Sequence, residues 1–361
     1  MVILHYAGIS MNASSGVSVI VPQIVNAQAE LNQVGFYNFG NENFELSDKV
    51  KALCETEETY DYRKFSSPFN HPDLVVFHSP YGIPKGIKVA RNLIKDNIPY
   101  VIVPHGCFSK SSMEKKKVKK ILAVHLIFRN MFHHAAAIQY LSSGEQKSSV
   151  IKGKSFVVPN GVLIGEYCQH IKTNDDFTLT YIGRKSIHHK GLDLLINACG
   201  LIRQEMKEKH IKLNIYGPED PAEENTLRRL IEENDIKDVV HIYGPVYGKE
   251  KENVIYNTDV FVLTSRFEGL PGAVLEAWAN GCPTLLTPGT NLAQEAENNQ
   301  CGWSTKGTPN SIAQGILNAF AEKDTLPQYA KHAYEYVLKT YGWDAVAKKY
   351  GEAYTGLCKK S

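Results

Sequence analysis

Ten short apolar runs punctuate this chain, each closing on polar or glycine residues and separated from the next by a stretch long enough for a helix. Five lie at residues 2–6, 73–79, 100–106, 136–142 and 155–159, and the pattern restarts at 178–183, 212–217, 239–244, 260–264 and 283–287. Parallel strands need a crossover of helix length, whereas hairpins do not, so this spacing predicts parallel sheets covered by helices. The restart predicts two successive doubly wound, Rossmann-like α/β domains over residues 1–160 and 161–340. Their join falls at Pro159-Asn160-Gly161, a turn sequence that suits a hinge. Residues 341–361 form a C-terminal helix whose apolar stripe is Trp343, Val346, Ala347, Tyr350, Ala353 and Tyr354. That stripe is a docking face for either domain, including a return to the N-terminal one.

A length of 361 residues with 43 % hydrophobic content is enough for two ordinary cores. The formal charge of +2 offers no whole-molecule attraction for nucleic acid, so any anion must be held locally. The seven cysteines are odd in number, scattered and never arranged Cys-x-x-Cys, which argues against structural zinc and for a reducing compartment. Val2-Ile3-Leu4 reads as a first strand rather than a secretory leader. No apolar run reaches the roughly twenty residues that cross a bilayer. A cytoplasmic protein is expected, either soluble or lying on the inner face of the cytoplasmic membrane.

The stretch from Ser265 to Gly281 carries the most chemistry. It follows the apolar run Val260-Phe261-Val262-Leu263 and opens a helix, with Pro271 in its first turn and Gly281 at its end. A helix start after a parallel strand presents free N–H groups and a positive dipole end to a phosphate or sugar oxygen. Gly269 and Gly272 let backbone approach a ligand closely. Glu268 before the helix and Glu276 within it can reach opposite ends of a ligand laid over the helix start. Alone, two such glutamates are better explained by the helix dipole and a solvated face, and it is the glycines and the preceding strand that reverse this.

Glu268 and Glu276, set in Glu-Gly-Leu-Pro-Gly…Leu-Glu-Ala-Trp-Ala-Asn-Gly-Cys-Pro, resemble the signature of retaining glycosyltransferases of family 4, which have the GT-B fold. Gly183-Arg184 followed by Lys190-Gly191-Leu192-Asp193 resembles that family's donor-phosphate element. Pro104-His105-Gly106 resembles its active-site histidine position, and Ser14-Ser15-Gly16 its glycine-rich loop, with serine in place of the usual first glycine. Pro159-Asn160-Gly161-Val162, Tyr216-Gly217-Pro218 and Tyr243-Gly244-Pro245 match its interdomain segment and strand-end loops. Ser143-Gly144-Glu145 is also family-like, with Ser143 read as a helix cap.

The resemblance implies two domains facing each other across a central cleft, with the nucleotide held by the C-terminal one. It places His105, Glu268, Arg184 and Lys190 at catalytic positions. Gly16, Gly183, Gly217, Gly269, Leu270, Pro271, Gly272 and Glu276 fall at donor-binding ones. Arg184 and Lys190 would stabilise the departing diphosphate, Glu276 would bind ribose hydroxyls, and His105 with the Gly16 loop would complete the site on closure. No residue stands out as a covalent nucleophile, no metal site is expected, and no cofactor is implied beyond the sugar nucleotide, which is the donor substrate.

The implied activity is transfer of a hexose or N-acetylhexosamine from a nucleotide diphosphate sugar, UDP foremost, to a glycan or lipid-linked acceptor. Capsule, O-antigen or lipopolysaccharide assembly is the expected setting. Residues 110–132, a run of lysines before an apolar stretch, fit either a peripheral contact with an anionic membrane or a core helix with a solvated lysine face. Two other readings stay open: a sugar-nucleotide epimerase or hydrolase on the same fold, and a non-catalytic scaffold protein in an assembly complex.

Overall fold

The computed structural model describes residues 1–10, 16–40, 44–53, 59–80, 85–108, 127–167, 176–218 and 220–358. It divides into two compact units, Met1–Gly161 with Trp343–Ser361, and Val162–Gly342.

Unit 1 is built on a seven-stranded sheet of β1 (Val2–Ala7), β2 (Gln33–Asn38), β3 (Val50–Ala52), β4 (Leu74–His78), β5 (Tyr100–Val103), β6 (Ala137–Tyr140) and β7 (Ser155–Val157). The spatial order is β3-β2-β1-β4-β5-β6-β7, every pair parallel. Its described helices are α1 (Gly16–Ala29), α2 (Gly86–Lys95), α3 (Arg129–His133) and α4 (Ser143–Ser148), together with the last helix of the chain. Strands β4, β5 and β6 are buried along their whole length, as expected where helices cover both faces.

Unit 2 carries a six-stranded parallel sheet in the order β10-β9-β8-β11-β12-β13. Its strands are β8 (Phe177–Ile182), β9 (Ile211–Tyr216), β10 (Val240–Tyr243), β11 (Val260–Leu263), β12 (Thr284–Leu286) and β13 (Gly302–Ser304). The helices are α5 (Ile187–Lys190), α6 (Leu192–Leu201), α7 (Arg203–Glu208), α8 (Pro221–Glu233), α9 (Gly248–Tyr256), α10 (Gly272–Ala279), α11 (Ala293–Asn298), α12 (Pro309–Ala321) and α13 (Leu326–Tyr341). Trp278, fully buried on α10, donates its indole N–H to Thr284 on β12 at 3.1 Å, so the largest core side chain leaves no polar atom unpaired.

The strand order reverses between β1 and β4 in unit 1 and between β8 and β11 in unit 2. At such a switch point the connections leave in opposite directions and open a crevice beyond the carboxyl ends of the two strands. The loops after β8 and β11 therefore define where unit 2 can hold a ligand.

The last helix, α14 (Trp343–Cys358), packs against α1, and its Tyr354 donates to Gln139 on β6 at 2.9 Å. A Cβ on Gly161 would lie 2.4 Å from the Trp343 ring, which fixes a glycine where the chain leaves unit 1. Among the described residues no helix is long and apolar enough to cross a membrane.

Strands β2, β3 and β13 are absent from the sequence expectation. Gly35 interrupts β2 and reads as a turn, yet a Cβ there would sit 2.8 Å from both Leu53 and Phe69, so packing demands the glycine. The other two strands have three residues each, too few to show a period. The basic stretch at 110–132 lies largely outside the described residues, as do Ser14 and Ser15.

Candidate functional site

Unit 2 assembles its chemistry from two loops, residues 183–191 after β8 and 264–272 after β11. The first loop starts where two strand ends press together. A Cβ on Gly217 would come within 1.9 Å of the Gly183 carbonyl, and one on Gly183 within 2.9 Å of the Tyr181 hydroxyl. Tyr181 in turn donates to the Arg184 carbonyl at 2.6 Å. Lys185 is buried and pairs with Glu224 at 2.9 Å, while the Ile187 N–H donates to Glu223 at 2.9 Å. The acidic first turn of α8 thus staples this loop from behind, leaving Arg184 exposed in front. Arg184 itself enters no ion pair among the described residues.

The short helix α5 ends at Gly191 in the left-handed region with φ 64°, where a Cβ would lie 2.1 Å from the Thr264 carbonyl. Only glycine fits there. The Thr264 hydroxyl donates back to the Gly191 carbonyl at 3.0 Å. Arg266 grips Asp193 with both forks, at 2.7 and 2.6 Å, and donates to the His188 carbonyl at 2.7 Å. Burial raises the Asp193 carboxyl, but the Arg266 guanidinium outweighs it and holds the group below its usual value. His189 stacks on Phe267 with ring centroids 4.3 Å apart and bonds the Phe267 carbonyl at 2.8 Å. Two loops distant in sequence are therefore laced into one platform.

On that platform Lys190 and Glu268 meet, Nζ to Oε1, at 2.6 Å, and Ser265 donates its hydroxyl to the same oxygen at 2.6 Å. Asn291, in the left-handed region, donates to the Glu268 carbonyl at 2.6 Å and to the Gly269 carbonyl at 3.2 Å, which fixes the backbone turn. Helix α10 then begins at Gly272 with Pro271 at its N-cap and no side-chain cap. A Cβ at Gly269 or Gly272 would meet nothing within 4 Å, so the main chain there borders open space. Leu270 packs down onto the core and Pro271 is buried. Glu276 lies one turn into α10, ion-paired to Lys251 of α9. Gly281, past the helix end, takes a φ of 65°.

Unit 1 places His105 immediately after β5, half-buried, with φ 50°, and Gly106 follows with φ 78°. A left-handed conformation in a residue with a side chain costs about 1–2 kcal/mol, so something must hold it. Glu145, almost fully buried, accepts the Gly106 N–H at 2.6 Å and the Leu141 N–H at 2.7 Å. Burial lifts the Glu145 carboxyl above its usual value, against those two backbone donors. The helix cap expected from Ser143 belongs to Ser142, whose hydroxyl accepts the Glu145 N–H at 3.1 Å. The extended backbone needed at an N-cap occurs at 142, and 143 is already helical. Gly16 is the exposed first residue of α1.

The structure thus brings Arg184, Lys190, Glu268, Gly269, Leu270, Pro271, Gly272 and Glu276 onto one edge of unit 2, with Gly183 and Gly217 beneath. Asn291 and Lys251 were not legible as site residues, and neither were the contacts of Ser265, Arg266 and Asp193, although these three lie in stretches that the sequence singled out. Each acts through a contact between segments far apart in sequence, except Ser265, whose serine three residues before Glu268 gave the one local signal.

Residues 168–336 match the family described as glycosyl transferases group 1. The putative colanic acid biosynthesis glycosyltransferase WcaL of Salmonella typhimurium is 28 % identical over 171 residues, covering 44 % of this chain and 40 % of that protein. The D-inositol 3-phosphate glycosyltransferase of Paenarthrobacter aurescens is 26 % identical over 188 residues, 51 % of this chain and 46 % of that protein. The matched part of the chain thus spans less than half of these relatives' own length. Among solved structures, sucrose-phosphate synthase from Thermosynechococcus elongatus aligns over 100 % of both chains with a TM-score of 0.73 at 18 % identity. The Anabaena protein HepE, solved with UDP and glucose, covers 98 % of this chain and 99 % of its own with a TM-score of 0.68 at 15 % identity. These likenesses establish the fold, the two-sheet α/β architecture of GT-B glycosyltransferases.

Proposed function

We propose that this chain is a retaining, metal-independent glycosyltransferase that moves a hexose or N-acetylhexosamine from a nucleotide diphosphate sugar to a glycan or lipid-linked acceptor. The observation that carries the reading is the unit 2 platform, where Lys190 and Glu268 stand together beside uncapped backbone at the start of α10, with Arg184 exposed at the neighbouring strand end. Breaking a sugar–phosphate bond leaves growing negative charge on the diphosphate. Fixed cations and a helix start aimed at that charge lower the barrier because they need no reorganisation as it develops. Arg184 and Lys190 are assigned to the diphosphate, Glu268 and the 269–272 backbone to the donor sugar, and Glu276 to the ribose hydroxyls.

A capsule, O-antigen or other polysaccharide pathway is supported by the likeness to the putative colanic acid enzyme. The likeness to a structure holding UDP supports UDP as the nucleotide. We assign no covalent nucleophile, and take retention to follow from front-face attack assisted by the leaving phosphate.

Calorimetric titration of UDP, GDP, ADP and CMP into the whole protein, in chelator, tests the reading. One nucleoside diphosphate is expected to bind, and Glu276→Ala to weaken it. Binding of none of the four removes the donor site and favours a non-catalytic scaffold.

A further inference from the structure

Unit 1 contains a file of three histidines crossing three adjacent strands: His5 on β1, His78 on β4 and His105 just past β5. His5 Nδ1 lies 3.0 Å from His78 Nε2, and His78 Nδ1 lies 3.0 Å from His105 Nε2. Successive rings stack with centroids 5.3 Å apart. At the inner end His5 Nε2 sits 3.3 Å from Gln28 Oε1 on α1. Burial pushes His5 down to about 3 and His105 to about 4, and lowers His78 as well, so all three imidazoles are neutral at pH 7. Apolar side chains fill such space without the cost of desolvating polar rings. A packing role alone does not explain three imidazoles in register.

A neutral imidazole donates from one nitrogen and accepts at the other. A file of three therefore has only two polarities, and fixing either end fixes every proton in it. The inner end is fixed by the Gln28 amide. Its Oε1 lies 3.3 Å from His5 Nε2 and can only accept, while its Nε2 is buried with no hydrogen-bond partner among the described residues. His5 Nε2 must then donate, His5 Nδ1 accepts from His78 Nε2–H, and His78 Nδ1 accepts from His105 Nε2–H.

We propose that His5 and His78 are positioning residues that hold His105 in the Nε2–H tautomer and leave its Nδ1 as a bare hydrogen-bond acceptor. An acceptor suits a substrate hydroxyl and repels a phosphate oxygen, so His105 serves the sugar and not the diphosphate. That last step rests on the sugar-transfer reading, whereas the tautomer stands on unit 1 alone. The second nitrogen of a working histidine is commonly set in this way by the bond the first one makes.

The test is a long-range proton–nitrogen spectrum of the whole protein carrying ¹⁵N-labelled histidine at pH 7.5, with His105 assigned by its loss in His105→Gln. His105 is expected to show a protonated Nε2 and a bare Nδ1 in the wild type. In His78→Phe the two tautomers mix, and His78→Asn, whose Oδ1 stands in for the accepting nitrogen, restores the single form. Where His78→Phe does not fold, Gln28→Met at the far end of the file is expected to give the same mixing at His105. A protonated Nδ1 in the wild type, or an unchanged His105 in both His78→Phe and Gln28→Met, overturns the proposal.

In transfer assays His78→Phe is expected to lower kcat about tenfold, the scale of losing an outer-shell partner, with little change in the donor KM, and His78→Asn to recover it. The expected spectra without any sugar transfer in the wild type leave the tautomer assignment in place and remove the reading of the site.

Discussion

Lys190 Nζ and Glu268 Oε1 are 2.6 Å apart, joining the loop after β8 to the loop after β11 across 78 residues of sequence. The side chains are 15 % and 12 % exposed, so water screens the pair less than it does a surface ion pair. Ser265 occupies the same carboxylate oxygen. The carboxylate is thereby held from two sides, and the ammonium is held at the platform before any ligand arrives. Such preorganisation is what a diphosphate leaving group requires.

Lys190→Ala is expected to lower turnover by about 10²-fold or more, near the 3 kcal/mol scale of a fixed transition-state donor. Arg184→Ala is expected to do likewise from the neighbouring strand end. Steady-state transfer with a labelled sugar nucleotide measures both. Turnover close to wild type in either variant removes that residue from the diphosphate clamp.

The glycines of unit 2 separate folding from binding. Gly191 has φ 64° and no room for a Cβ, which would lie 2.1 Å from the Thr264 carbonyl, so Gly191→Ala strains the join between the two loops. A loss of more than about 1 kcal/mol in urea unfolding is expected, since the left-handed backbone alone costs that much. Gly272→Ala meets nothing within 4 Å and begins a helix, so stability should hold or rise. If ligand approaches that backbone closely, nucleotide or donor affinity falls nonetheless. Unchanged affinity in Gly272→Ala places the ligand elsewhere.

Much of this architecture was legible because parallel sheets buried on both faces write themselves as continuous apolar runs, and β4, β5 and β11 are such runs. β2 was hidden because the glycine that lets it pack against Leu53 and Phe69 looks like a turn. The platform was legible where its residues fall in one local stretch, as from Glu268 to Glu276. The contacts of Asp193, Asn291 and Lys251 stayed hidden because their partners lie 73, 23 and 25 residues away, and the fold alone brings them together. His5 and His78 were hidden for another reason. Each is one polar residue in an apolar strand, and only the register β1–β4–β5 shows that they stack.

If Arg184 and Lys190 supply the positive charge at the diphosphate as proposed, transfer is expected to persist in excess chelator. The check is the initial rate with and without chelator, and then with added Mg²⁺ or Mn²⁺. A rate that collapses in chelator and returns only with a divalent ion shows that the two side chains do not suffice.

The histidine file is also expected to set the acid limit of unit 1. Each of His5 and His78 titrates in the unfolded chain near its ordinary value of 6.5, whereas burial holds both far lower in the folded state. Below 6.5 the unfolded chain binds protons that the folded one excludes, so stability is full above that pH and drains as pH falls toward the folded values. Each fully buried ring contributes a slope of up to about 1.4 kcal/mol per pH unit over that window. Glu145 runs the other way at the acid end, because burial raises its carboxyl and the folded state takes up that proton first. Urea unfolding from pH 7.5 to 5.0 should show a steep loss that begins near 6.5, and His78→Phe should flatten it by one ring's share. A stability that stays level from 7.5 to 5.0 means the rings are protonated or exposed in the folded protein, and the neutral file fails with it.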